Sequence, residues 1–205
     1  VESTVCCEYI DEVFPTPPLK PADAFGRAKM RLWTKAVDEH IHPVCAEITF
    51  ACSHRHTIAR LGKEKLDEFL ASTPAISVTP AWHERKKVLV MQGLAAQGVD
   101  KSLGLYDRYL QKMEDALAHH KWVASDTFSL ADIGLAPYVN RLDMMSMSEM
   151  WTKKRPRVTD WFDRIKARPT FKSTFLDLCP PDLTNDLKTF GAESWKEARK
   201  ILEVA

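Results

Sequence analysis

An all-α fold is predicted by three features of the sequence. No segment of the 205 residues sustains the period-two alternation of a half-buried strand. Leu103, Tyr106, Leu110, Met113 and Leu117 recur at spacings of three and four, the stripe of an amphipathic helix. Ser129 and Asp132 stand three residues apart at the head of an apolar run, the spacing of a capping box, with Phe128 and Ile133 placed as a hydrophobic staple. The helix they start runs from Leu130 to about Met144, is apolar on most sides, and is expected to be central and buried.

The other elements follow in order. Thr4 to Val13 reads as a short helix capped by Ser3, with Val5, Tyr9 and Val13 on one face and Cys6 and Ile10 beside them. Such a stripe needs a partner, so an upstream piece is expected. Four prolines between Phe14 and Pro21 make the next stretch an extended linker. Asp23 caps a helix through Arg27, Met30, Trp33, Val37 and Ile41, and Pro43 predicts a kink or break in it. Helix resumes to about Leu61, where Gly62 closes it, and Lys63 to Leu70 gives a short charged helix. Ser72 to Thr79 reads as a loop, and Thr79-Pro80 supplies the cap and first-turn proline of a helix into the nineties, ended by Gly98. Met144 to Lys154 is an irregular, Met-rich connection. A helix over Val158 to Ala167 turns Trp161 and Ile165 inward, and Pro169 ends it or opens the next. Cys179-Pro180-Pro181 breaks the chain before a short helix around Trp195, Ala198 and Leu202.

Composition narrows the function classes. With 29 Lys+Arg against 28 Asp+Glu, no bulk electrostatic attraction to nucleic acid or to a membrane surface follows. No apolar run approaches a membrane span, and the first residues do not read as a signal peptide. The 5 cysteines are odd in number and lack C-x-x-C spacing, which fits a reducing, cytoplasmic setting better than a disulfide framework.

Two groups of residues could carry chemistry. Glu2-Ser3 opens the first helix, where exposed amides and a positive partial charge suit a carboxylate. The Ser3 hydroxyl adds a donor and Glu2 can accept from an ammonium, so the pair matches an amino-acid head group; an ordinary helix cap beside a surface Glu is the alternative. His42 with Cys45, and Cys52 with His56, could each converge on a helix face, but the pairs are far apart and no metal is expected. The Met residues from Met113 to Met150 fit core filling better than a cofactor box.

Glu2-Ser3, the helix carrying Cys7 to Asp11, Phe14-Pro15, Leu19-x-Pro21-x-Asp23, Arg27-Ala28, Ser129 to Ile133 and Trp161 to Pro169 occur in an order that resembles the glutathione S-transferase superfamily. Pro74 to Lys87, with Trp82 before Arg85-Lys86-Lys87, further resembles the insertion of the bacterial β-aryl etherases. The resemblance implies that residues 1–13 are the last helix of a truncated thioredoxin-like domain, 14–22 a linker, 23–178 the helical C-terminal domain and 179–205 an extension. It implies a glutathione transferase fragment, cytoplasmic and homodimeric, whose glutathione co-substrate is held partly by Glu2 and Ser3. The thiolate would attack an aromatic or aryl-ether electrophile beside His42, Ala46 and Phe50. His42 packed or solvated at the proline kink is the alternative for that residue. The family's thiol-activating residue and cis-proline have no counterpart here, so this chain alone is expected to be inactive; a non-catalytic assembly module is the second reading.

Overall fold

The structure, a computed structural model, describes residues 2–71 and 80–204, and among them every regular element is helical. The expected loop at 72–79 and the Thr79 cap lie outside the described residues. Helix α1 covers Ser3–Val13 and α2 covers Ala24–Ala36, the latter capped by the Asp23 carboxylate accepting from the Gly26 amide at 2.8 Å. A π-helical turn, Val37–Ile41, joins α2 to α3, His42–Thr49. Its position follows from Pro43, which has no N–H to give and crowds the carbonyl one turn back. The wider turn absorbs both effects, and the His42 amide donates five residues back to the Val37 carbonyl. The expected kink is therefore a π turn just before the proline. A second one, Phe50–His54, leads to α4, Arg55–Ala59, and Gly62 at φ +84° ends that run.

The remaining elements are α5 (Lys63–Ala71), α6 (Pro80–Gln92), α7 (Val99–Leu117), α8 (Leu130–Met144), α9 (Glu149–Thr152), α10 (Pro156–Lys166), α11 (Pro169–Phe171) and α12 (Pro181–Val204). Helix α6 stops at Gln92 rather than Gly98, because Gly93 takes φ +60° and opens a 3-10 turn. The short helix expected near Trp195 is instead the 24-residue α12. Gly191, inside that helix, is there for close approach: a Cβ would collide with the Met145 backbone.

The chain forms two compact units. The first takes 1–43, 107–142 and 148–178, and its core includes Met30, Leu110, Met113, Leu135, Trp151 and Trp161. The linker is fastened there: buried Asp11 accepts from the Leu19 amide at 2.6 Å, and the Leu19 carbonyl accepts from the Leu130 amide at 3.0 Å. That second bond satisfies one of the orphan donors at the start of α8. Buried Glu114 of α7 does the same for α10, accepting from the Arg157 and Val158 amides at 2.9 and 3.0 Å.

The second unit takes 44–106, 143–147 and 179–205. Ile48, Cys52, Leu89, Leu103, Met145 and Leu187 are buried in it. Asp186 of α12 accepts from the hydroxyl of Thr57 at 2.8 Å and pairs with Arg60, and the Ser194 hydroxyl donates to the Cys52 carbonyl at 2.9 Å. In the Arg85-Lys86-Lys87 run, the first two side chains turn inward. Arg85 pairs with Glu47 at 2.6 Å and Lys86 is only 6% exposed.

Candidate functional site

Helix α1 is amphipathic, and the structure shows what each side meets. Its polar side is tied to α2 and the turn after it. The Thr4 hydroxyl donates to Asp38 at 2.7 Å, and the Glu8 carboxylate receives the Arg31 guanidinium through two bonds of 2.9 and 2.7 Å. That two-point bond holds the Glu8 carboxyl below the usual carboxylate range. The other side is exposed: Val5, Tyr9, Ile10 and Val13 are between 48% and 67% accessible.

The cap differs from the sequence expectation. Glu2, not Ser3, is the N-cap residue, with extended φ −80° and ψ 118°, and Ser3 is the first helical residue. The Glu2 carbonyl accepts the first intrahelical bond, from Cys6 at 2.9 Å, and no side chain caps the end. Ser3 therefore stands among the first amides of the helix, which have no intrahelical acceptor. Glu2 and Ser3 are both exposed. An exposed hydroxyl, an exposed carboxylate and an uncapped helix start can together hold a zwitterionic head group.

The residues expected on the acceptor side fall in different units. His42 is exposed in the first unit, one turn beyond Asp38, with its Nδ1 3.2 Å from the Tyr138 hydroxyl and the two rings edge to face at 6.0 Å. Ala46 and Phe50 belong to the second unit and are half-buried. Phe50 meets His54 at 5.3 Å and Trp82 at 5.9 Å, both edge to face, over the buried cluster of Ile58, Leu70 and Val90. Tyr138 was missed from the sequence because it lies 96 residues from His42. The signal that could have found it was the helical register of α8, which spaces Tyr138 one turn from the small Gly134; a Cβ there would touch Val37 and Thr34.

The residues weighed for metal have other partners. The Cys52 carbonyl receives Ser194, and His56 stacks on Phe190 at 4.5 Å. Burial pushes the Cys52 thiol up to about 12, which keeps it protonated and inert. Among the described residues no three His, Cys, Asp or Glu side chains converge as a metal site, and no helix is long and apolar enough to cross a membrane.

Asp132 is the most enclosed carboxylate of the first unit, at 0% exposure. Its Oδ2 accepts from the Ser129 amide at 3.0 Å, the reach-back bond of the capping box, and from the Ser129 hydroxyl at 3.2 Å. Its Oδ1 accepts from the Val123 amide at 3.1 Å and the Trp161 indole at 2.9 Å. Burial raises its pKa, and the four donors oppose that shift.

Residues 80–164 match the family model described as Glutathione S-transferase, C-terminal domain. Protein LigF of Sphingobium sp. strain SYK-6 is 29% identical over 85% of this chain and 68% of its own length. The crystal structure of LigF, described as a β-etherase, superposes with a TM-score of 0.73 over 84% of this chain and 72% of that one. A tetrachloro-p-hydroquinone reductive dehalogenase of Sphingobium chlorophenolicum is 28% identical over 54% of this chain and 45% of its own length. The apo structure of glutathione S-transferase III gives a TM-score of 0.59 at 26% identity, over 88% of this chain and 70% of that one. Residues 80–164 thus match the C-terminal domain of the glutathione S-transferases, and over most of its length the chain is similar to the β-etherase LigF.

Proposed function

We propose that this chain is the helical part of a glutathione transferase that attacks an aromatic or aryl-ether electrophile, with α1 the last helix of a thioredoxin-like domain. The observation that carries this reading is the start of α1. It offers Ser3, Glu2 and uncapped amides at an exposed end, fixed to the helical domain by Thr4–Asp38 and Glu8–Arg31. The apolar Val5, Tyr9, Ile10 and Val13 supply a face that a preceding domain would cover. In this reading the glutathione carboxylate sits on the α1 amides and the Ser3 hydroxyl, and Glu2 meets the ammonium.

The sulfur needs a lowered pKa from a residue outside this chain, since the thiolate is the nucleophile. With an aryl ether, a C–S bond forms at the carbon bearing the aryloxy group, the C–O bond breaks, and the phenolate leaves to take a proton. The similarity to LigF supports the ether substrate, and His42, Ala46 and Phe50 are assigned to the acceptor side. A cytoplasmic homodimer using no metal completes the proposal.

The test is a glutathione-dependent assay of the protein encoded by the native gene, following phenol release from an aryl ether and conjugation of an activated aromatic halide. Activity with either confirms the transferase; activity with the halide alone removes the ether assignment. His42→Ala is expected to raise the acceptor KM or lower kcat severalfold at unchanged glutathione affinity, and unchanged constants would remove His42 from the site. The non-catalytic module draws support from Phe25 and Leu32 of α2, each 70% exposed, and gains ground if both assays fail while glutathione still fails to bind.

A further inference from the structure

We propose that Tyr138 is a positioning residue, which holds the His42 imidazole with its proton on Nε2 as a hydrogen-bond donor for the departing aryloxide oxygen. This role rests on the transferase reading of the chain and adds to it a group that meets the leaving oxygen.

Backbone features of the first unit bring the two side chains together. In an α-helix the residue one turn after Val37 would be Ile41. The π turn Val37–Ile41 adds one residue, so the His42 amide closes on the Val37 carbonyl and His42 takes that place. Ile41 is buried at 2% exposure, while His42 stays exposed. On the facing helix, the Cβ position of Gly134 lies 3.6 Å from the Val37 side chain and 3.9 Å from that of Thr34, so α8 is in close contact with this run. Tyr138, one turn later on α8, reaches His42 as Gly134 reaches Val37. Its hydroxyl lies 3.2 Å from Nδ1, with the two rings edge to face at 84°. Single π turns are frequent at functional sites.

The direction of that hydrogen bond decides the tautomer. A neutral imidazole has a proton on one nitrogen and a lone pair on the other, and the partner of one fixes the state of both. A phenol is a better donor than acceptor, because its oxygen lone pair is delocalised into the ring, and the bare imidazole nitrogen is the better acceptor. The Tyr138 O–H therefore donates to Nδ1, and the His42 proton stays on Nε2. His42 stands one turn beyond Asp38, which accepts from the hydroxyl of Thr4 at 2.7 Å, and Thr4 follows Ser3 in the proposed glutathione seat. As the C–S bond forms and the C–O bond breaks, negative charge gathers on the aryloxide oxygen. A fixed N–H donor stabilises that oxygen more than it does the bound ether. No proton leaves the ring, and the phenolate takes its own from water.

The first readout is the 15N spectrum of the His42 ring in the full chain at about pH 9, above the ordinary histidine range, assigned by its loss in His42→Gln. Wild type should carry the proton on Nε2, and Tyr138→Phe, which keeps the aromatic ring, should raise the fraction protonated at Nδ1. A proton on Nδ1 in wild type, or one tautomer ratio in both proteins, would overturn the proposal whatever the chain catalyses. The second readout is the single-turnover rate of the native gene product. Tyr138→Phe should slow cleavage of an aryl ether severalfold, and conjugation of an activated aromatic halide much less, since the halide ion departs without such help. Equal slowing with both substrates would mark a merely structural role and reject the proposal. Wild type inactive with both would remove the transferase reading itself, and the donor role with it, while the tautomer still reports whether Tyr138 sets the ring.

Discussion

Asp132 is fully buried, yet its two oxygens meet four donors from Val123, Ser129 and Trp161. Replacing it by Ala strands an indole N–H, two amides and a hydroxyl at once, so Asp132→Ala should lower stability by about 3 kcal/mol. Urea unfolding checks this, and a loss under about 1 kcal/mol would contradict the role given to the carboxylate. His56 is a half-buried titratable group. Burial lowers its pKa, the Arg55 and Arg60 charges add to that, and Glu193 opposes it. The folded protein therefore prefers the neutral ring, and the stability this confers is present above the unfolded value of about 6.5 and lost as pH falls through the lower folded one. Wild type should lose stability relative to His56→Phe, which keeps the stack on Phe190, between pH 7.5 and 5; parallel pH curves would rule out His56 as the titrating group.

The elements divide by how local their causes are. Helices α7 and α8 were legible because stripe spacing, capping box and staple act within a few residues, and both form where expected. The Pro43 distortion was legible in place but not in kind, since a proline specifies a missing bond and not the turn that absorbs it. Helix α12 was read too short because its first half depends on distant partners, Asp186 on Thr57 and Arg60 across 129 and 126 residues. The same holds for Arg85, whose partner Glu47 is 38 residues away, and for the Trp161 bond to Asp132, 29 residues apart. Of the candidate site, the Glu2-Ser3 pair is visible as a dipeptide, whereas the exchange of cap position and the Tyr138 neighbour of His42 depend on backbone conformation and on a contact across 96 residues. Gly191 follows the same logic. Ala there meets the Met145 backbone, which cannot swing aside like a flexible side chain. Gly191→Ala should destabilise by about 1–3 kcal/mol, as overpacked sites do, despite the higher helix propensity of Ala. A more stable variant in thermal unfolding would mean that α12 does not approach that backbone.

At the scale of the molecule, the proposed function depends on α1. A helix of 11 residues is too short to be stable by itself, and here its polar face is anchored while its apolar face is open. The chain corresponds to 68% of the length of LigF, and the proposed glutathione site draws on the whole protein. The most direct measurement is calorimetric titration of glutathione into the native gene product and its Ser3→Ala variant. Removing the hydroxyl beside the α1 amides should weaken binding by about 1–3 kcal/mol, as losing a hydrogen bond to a charged group does. Equal affinity in the two proteins, or no binding by either, would contradict the assignment of α1 as the glutathione-binding helix.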